Sequence, residues 1–190
     1  MNGNMGMRGR WSLILGGGRS GKSALAERMA REHGGTEVLF VATAQGFDDE
    51  MRARIARHRA DRASFGWRTL EAPVEPGRLL RDALTGREKV VLLDCLTLLI
   101  SNVLCPLGES VPAAEAEARA VAVLEDLAAV MRNSPARWIV VSNEVGLGLV
   151  PPTPLGRTFR DALGRVNQKM AAMADEVLFM AAGLAIRMKG

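Results

Sequence analysis

Residues 16–23 read GGGRSGKS and follow a short apolar run, residues 11–15. The octapeptide fits a pattern of one glycine, four further residues and a closing Gly-Lys-Ser, which ends at Lys22 and Ser23. Residues 24–30 have helical composition. A strand, a glycine-rich loop and a helix in this order predict a loop that wraps around a phosphate group.

Each part of this loop has its own predicted task. Glycines have no Cβ, so their backbone N–H groups can approach a phosphate closely. We expect Lys22 to place its ammonium group between the β- and γ-phosphates and the Ser23 hydroxyl to coordinate Mg²⁺. A glycine-rich turn with an incidental lysine is the alternative, but the strand and helix around it favour a site for a nucleoside triphosphate. The predicted nucleotide-binding residues of the loop are Gly16, Gly17, Gly18, Arg19, Ser20, Gly21, Lys22 and Ser23.

Length and composition limit the organisation of the chain. Its 190 residues fit one compact unit, and we expect residues 11–190 to form a single domain after a flexible extension at residues 1–10. Cys95 and Cys105 follow neither a metal nor a disulfide pattern, which favours the cytoplasm. The longest apolar run, residues 90–100, is shorter than the roughly 20 residues of a transmembrane helix, so no membrane span is expected.

The basic residues suit paired contacts to phosphates, and their number permits nucleic-acid binding without requiring it. The formal net charge is +4, and 21 of the 25 basic residues are arginine, which binds phosphates through paired hydrogen bonds. Aromatic residues make up only 4% of the chain, so platforms for stacking bases are scarce. We therefore expect no nucleic-acid partner.

Strand and helix signals alternate along the chain. Residues 37–42, 89–94 and 138–141 are apolar runs typical of buried strands, while residues 113–132 and 157–174 have helical patterns. A loop with three prolines covers residues 146–154. This alternation predicts an α/β fold with a mostly parallel central sheet and helices on both faces.

Asp94 ends the apolar run Val90 to Leu93. A carboxylate in this position commonly assists Mg²⁺ beside a phosphate loop, so we predict Asp94 as a metal ligand. The alternative is a capping role for the helix that starts near Leu96, and the two roles are compatible. Ligands of open α/β sheets bind at the carboxyl ends of strands. The same edge is expected to carry Val41, Ala42, Thr43, Glu71, Ser142, Asn143 and Glu144.

His58 lies in a predicted helix over residues 48–62, on the face that also carries Met51 and Ile55. Arg54 and Arg62 stand one turn before and after it. Two guanidiniums disfavour a further positive charge between them, and a neutral imidazole suits covalent catalysis at phosphorus. A half-buried structural histidine on a solvated, arginine-rich helix is the alternative, and spacing alone leaves both interpretations open.

The chain resembles the bifunctional adenosylcobinamide kinase and adenosylcobinamide-phosphate guanylyltransferase family of cobalamin biosynthesis. The resemblance covers nearly the whole chain, and its most specific part is SNEVGLGLVP at residues 142–151, which a general phosphate-loop ATPase does not need. The other matching segments are residues 16–23, 41–44, 48–58, 67–71, 92–95, 159–161 and 164–168. The chain departs from the family at Asp94, where other members have glutamate.

The resemblance implies a RecA-like P-loop NTPase fold and a role for His58 as the histidine that is guanylylated. It also implies Mg²⁺ as cofactor, ATP and GTP as substrates, adenosylcobinamide as the corrinoid substrate, and a homotrimer. By resemblance, the nucleotide-contacting residues beyond the loop are Val41, Ala42, Thr43, Arg59, Ala60, Asp61, Arg62, Glu71 and Asp94.

The implied reaction has two stages: phosphorylation of adenosylcobinamide, then transfer of GMP through His58 to give adenosylcobinamide-GDP. Lys22 would offset charge on the transferring phosphoryl group. Two rival functions are a one-step P-loop small-molecule kinase, in which His58 is structural, and a nucleic-acid-dependent P-loop ATPase.

Overall fold

The computed structural model describes residues 9–190, except for the side chains of Glu50, Arg54 and Asp61. Most of the predicted N-terminal extension therefore lies outside the described residues. The strands are β1 (Trp11–Gly16), β2 (Val38–Ala42), β3 (Arg68–Glu71), β4 (Val90–Asp94), β5 (Arg137–Asn143), β6 (Glu176–Ala181) and β7 (Leu184–Lys189). The helices are α1 (Lys22–Gly34), α2 (Asp49–Ala63), α3 (Pro76–Ala83), α4 (Leu96–Leu104), α5 (Ala113–Arg132) and α6 (Pro154–Met173).

The strands form one sheet in the order β3-β2-β4-β5-β1-β6-β7. Neighbouring strands are parallel except at the edge, where β7 runs antiparallel to β6. The apolar side chains of β4, Val90 to Leu93, are fully buried, as expected for a strand covered on both faces. The predicted α/β class with a mostly parallel sheet is confirmed.

In the inner strands, successive apolar residues pack into different cores, since side chains alternate between the two faces of a sheet. Leu13 and Val41 belong to a core shared with α3, α4, α5 and α6. Ile14 and Phe40 belong to a second core, which they share with α1. This alternation decides which strand residues can reach the space beside α1.

The helix predicted over residues 157–174 begins earlier, at Pro154, and ends at Met173. The side chain of Thr153 accepts a hydrogen bond from the backbone N–H of Gly156 at 3.1 Å and caps the helix. Proline is compatible with the first turn because that turn leaves its N–H groups unpaired within the helix. The predicted loop therefore ends at Thr153, one residue earlier than expected.

No helix in the described part of the chain is both long enough and apolar enough to cross a membrane. The longest two, α5 and α6, have 20 residues each, but both carry charged residues along their length.

Candidate active site

The glycine-rich loop lies between β1 and α1, at the carboxyl edge of the sheet. Because β1 sits between β5 and β6, this loop is near the middle of the sheet. The backbone N–H of Gly183, in the turn between β6 and β7, donates a hydrogen bond to the carbonyl of Ser20 at 3.1 Å. The last hairpin of the chain therefore supports the loop directly.

Two glycines of the loop are required by its shape. A Cβ on Gly16 would lie 2.4 Å from the carbonyl oxygen of Met180, so β6 leaves no space for a side chain there. Gly21 has a φ of 96° and precedes α1 as its N-cap residue. Only glycine adopts this left-handed conformation without strain, and it turns the chain into the helix.

Lys22 is the first residue of α1 and is buried, with 7% of its surface exposed. Its Nζ donates hydrogen bonds to the carbonyl of Gly17, at 2.5 Å, and to the hydroxyl of Ser20, at 3.4 Å. The ammonium group is thus held over the centre of the loop.

A cavity of about 580 Å³ opens beside the loop, on the α1 face of the sheet. It is lined by Gly18, Arg19, Ser20, Gly21, Lys22, Ser23, Ala24, Phe40, Ala42, Ala44, Met51, Ile55, His58, Arg59, Arg62, Glu71, Asp94, Cys95, Leu98, Val141 and Asn143. Most of the nucleotide-binding residues predicted from sequence therefore share one space with His58.

Asp94 is half-buried at the end of β4 and lines this cavity with Lys22 and Ser23. The helix that follows, α4, has Cys95 as its N-cap residue and no side-chain cap. The capping role considered for Asp94 is therefore wrong. Its carboxylate lies beside the phosphate loop instead.

Several predicted strand-end residues do not line the cavity. Val41 is fully buried in the opposite core, and Ser142 is also fully buried. Thr43 is fully buried as well, and its hydroxyl donates to the carbonyl of Cys95 at 2.8 Å and accepts from its N–H at 2.7 Å. These three residues therefore belong to the buried interior and not to the cavity wall.

Four other predicted residues also lie outside the cavity lining. Gly16 and Gly17 form the start of the loop. Ala60 is exposed on α2, and Glu144 accepts a hydrogen bond from the N–H of Gly146 at 2.5 Å. The side chain of Asp61 is outside the described residues.

His58 is half-buried in the cavity wall, together with Met51 and Ile55 from the same face of α2. The helix starts at a capping contact, in which the Asp48 side chain accepts from the backbone N–H of Met51 at 2.7 Å. Arg59, next to His58, forms an ion pair with Glu71 at the end of β3. The predicted side of α2 therefore faces the cavity.

Arg62 is the most buried cation contributed by α2 among the described residues, with 8% of its surface exposed. Its guanidinium carbon lies 3.7 Å from the centre of the Phe40 ring, a distance typical of a cation–π contact. Its Nη1 is 3.6 Å from Oε1 of Glu27, which belongs to α1. Neither Phe40 nor Glu27 was predicted as a site residue. The four-residue spacing from Ser23 to Glu27 does place these two side chains on one face of α1.

Burial and neighbouring charges act in opposite directions on these groups. Burial raises the pKa of Glu27, with a smaller contribution from Asp94, while Arg62 and His58 oppose this shift. Burial lowers the pKa of Arg62, and Glu27 and Asp94 oppose that shift. Burial, together with the charge of Asp94, raises the pKa of the Cys95 thiol to about 12. Glu27, Arg62 and Asp94 therefore form a partly desolvated group of charges.

A lysine-bearing glycine loop at the carboxyl edge of a parallel sheet defines the chain as a P-loop nucleotide-binding protein of the RecA-like kind. The crystal structure of the RadB recombinase has the same fold, with a TM-score of 0.51 and 17% sequence identity. That similarity covers 91% of this chain and 74% of the RadB chain.

Residues 12–188 match the family model described as cobinamide kinase / cobinamide phosphate guanyltransferase, so the chain belongs to that family. It is 40% identical over 182 residues to the bifunctional adenosylcobalamin biosynthesis protein CobU of Escherichia coli K12, covering 93% of this chain and 98% of that protein. It is 46% identical over 179 residues to the corresponding protein CobP of Pseudomonas aeruginosa, covering 94% of this chain and 96% of that protein.

Proposed function

We propose that this chain phosphorylates adenosylcobinamide with ATP or GTP and then transfers GMP from GTP to the product, which gives adenosylcobinamide-GDP. The observation that carries this proposal is the position of His58, which shares one cavity with Lys22, Ser23 and Asp94. A kinase alone needs the phosphate loop but has no use for a nucleophile in the same cavity.

In the first stage, the hydroxyl oxygen of adenosylcobinamide attacks the γ-phosphorus of the nucleotide. The new O–P bond forms as the bond from the γ-phosphorus to its bridging oxygen breaks, and a nucleoside diphosphate leaves. Lys22 and the backbone N–H groups of the loop offset negative charge on the transferring group.

In the second stage, an imidazole nitrogen of His58 attacks the α-phosphorus of GTP and displaces pyrophosphate. The resulting N–P bond holds GMP until a phosphate oxygen of the phosphorylated corrinoid attacks the same phosphorus and releases His58. Such a covalent intermediate divides one difficult displacement into two easier ones. Arg59, Arg62 and Glu71 are proposed to contact the bound nucleotide.

Ser23 and Asp94 fit a Mg²⁺ ion, because both offer oxygen ligands at the wall of the same cavity. Within the described residues, no three His, Cys, Asp or Glu side chains converge to hold a metal by themselves. Mg²⁺ commonly uses one or two protein ligands with phosphate oxygens and water, so this pair is sufficient. When bound, the ion would neutralise charge on the phosphates.

Labelling with GTP tests the covalent step. We expect wild-type protein incubated with α-³²P-GTP and Mg²⁺ to retain label after denaturation, with the acid lability and base stability of a phosphoramidate. His58→Ala should retain none. The chain has a second histidine, the exposed His33 near the end of α1, and His33→Ala is the matched control that should label normally.

Each rival function predicts a different result. A one-step kinase would leave no label on the wild-type protein, and a nucleic-acid-dependent ATPase would hydrolyse nucleotide faster when nucleic acid is added. Incubation with adenosylcobinamide, followed by analysis for adenosylcobinamide phosphate and adenosylcobinamide-GDP, then tests whether this corrinoid is the acceptor. The homotrimer stays a prediction, which analytical sedimentation measures. The cytoplasmic location also stays a prediction, which cell fractionation measures.

A further inference from the structure

Outside the reacting groups, Arg62 of α2 forms an ion pair with Glu27 of α1. Its guanidinium lies over the Phe40 ring, and its side chain is only 9% exposed. The Nε atom is buried without a hydrogen-bond partner. A buried guanidinium is costly unless an anion is close, so its position depends on the partner carboxylate.

That carboxylate belongs to Glu27, whose side chain is 19% exposed. Glu27 lies on α1, the helix that begins with Lys22 and Ser23. Burial raises the pKa of Glu27, and the charge of Arg62 opposes that shift, as expected for two groups whose ionised forms depend on each other. The carboxylate itself does not line the cavity.

The contact fixes the part of α2 that carries His58. Arg62 follows His58 by four residues, which places it one turn further along the same helical face. Directly after His58, another ion pair of α2, Arg59 with Glu71, is exposed on both partners. An exposed pair contributes little to positioning, so the buried pair is the stronger of the two constraints.

We propose that Glu27 is a positioning residue for the guanylylation step, which it controls by holding Arg62 against Phe40. The two ion-paired residues connect the helix that starts the phosphate site to the helix that carries the nucleophile. Without the carboxylate, Arg62 leaves the Phe40 ring for other anions in the cavity, such as Asp94, and the imidazole of His58 loses its alignment with the α-phosphorus. This inference rests on the proposed function.

Single-turnover guanylylation tests this role, with the rate of label transfer from α-³²P-GTP measured over a range of GTP concentrations. We expect Glu27→Ala to reduce the maximal rate about 10- to 100-fold, because a displacement of about 1 Å is enough for such a loss. The half-saturating GTP concentration should stay close to that of the wild type. Glu27→Gln keeps an oxygen acceptor for Arg62 and should give a smaller loss.

Glu32 supplies the matched control. It lies on the same helix, is exposed, and pairs with the exposed Arg28 at 4.0 Å. Glu32→Ala should guanylylate at the wild-type rate. Circular dichroism checks that each variant is folded, and if Glu27→Ala does not fold, the rate of Glu27→Gln decides.

The double variant shows whether Glu27 acts through Arg62. We expect Glu27→Ala combined with Arg62→Ala to be no slower than Arg62→Ala alone, since the carboxylate has nothing left to position. If the double variant is slower than Arg62→Ala by the same factor that Glu27→Ala alone shows, the proposal is overturned. It is also overturned if Glu27→Ala leaves the maximal rate unchanged and only raises the half-saturating GTP concentration. A wild-type protein that never acquires label contradicts the proposed function itself, whereas equal maximal rates of labelling for the wild type and the Glu27 variants contradict only this inference.

Discussion

The two cysteines differ in how they should react with alkylating reagents. The thiolate is the reactive form, and burial raises the pKa of Cys95 to about 12, whereas Cys105 is exposed. At pH 8 we therefore expect iodoacetamide to modify Cys105 of the folded protein and to leave Cys95 unmodified. Peptide mass spectrometry measures both sites.

Two further samples check the cause of this difference. Cys105→Ser should remain unlabelled while folded, and both cysteines of the wild type should react in denaturant. Rapid labelling of Cys95 in the folded protein would show that its thiol is accessible and ionised, contrary to its position beside Asp94.

Strand alternation explains which predicted site residues reach the cavity. Three consecutive residues, Val41 to Thr43, were all expected at the site because they lie at or just after the end of β2, yet only Ala42 lines the cavity. Neighbouring strand residues point to opposite faces, and the cavity lies on the face covered by α1. The sequence located the correct edge of the sheet but not the correct face.

The contact of Phe40, Arg62 and Glu27 could not be predicted in the same way. These residues come from β2, α2 and α1, and their proximity depends on how two helices pack on a strand. By contrast, the phosphate loop is continuous in sequence, so its glycines, lysine and serine could be assigned from spacing alone. His58 is intermediate, since helical spacing predicted its face and the family resemblance supplied its role.

At the level of secondary structure, the start of α6 depends on Thr153. Its side chain satisfies one N–H of the first turn, and sequence reasoning missed the cap because it treated the prolines as loop residues up to Pro154. We expect Thr153→Ala to lower the free energy of unfolding by about 1 kcal/mol, as is typical for loss of a capping hydroxyl. Urea denaturation followed by circular dichroism measures this change.

The exposed Ser110, in the segment between α4 and α5, provides a comparison for this substitution. Ser110→Ala should change the free energy of unfolding by less than about 0.5 kcal/mol, as surface substitutions usually do. Equal stability of the Thr153 variant and the wild type would show that the cap contributes nothing.

Nucleotide binding should stabilise the entire folded chain. GTP at about 100 times its Kd contributes about 2.7 kcal/mol to the folded state, which for a chain of this size raises Tm by roughly 5–10 °C. Lys22→Ala should lose most of this increase, since the buried ammonium is held over the loop. Scanning fluorimetry with GTP and Mg²⁺ measures the shift.

Lys89 is the matched control for Lys22, because it is exposed and does not belong to the phosphate loop. It is exposed just before β4 and pairs with Glu37, away from the cavity lining. Lys89→Ala should keep the full GTP-dependent increase in Tm. If both lysine variants respond like the wild type, the loop does not bind nucleotide through Lys22.

The central position of β1 has a consequence for synthesis of the chain on the ribosome. The phosphate loop emerges long before its neighbours in the fold, which are β5, β6 and the turn at Gly183. Folding of nascent chains proceeds as segments emerge, yet this loop has no lateral support until β5, β6 and the turn at Gly183 have been made. A polypeptide that stops before β5 therefore carries the whole glycine motif without the strands that flank β1.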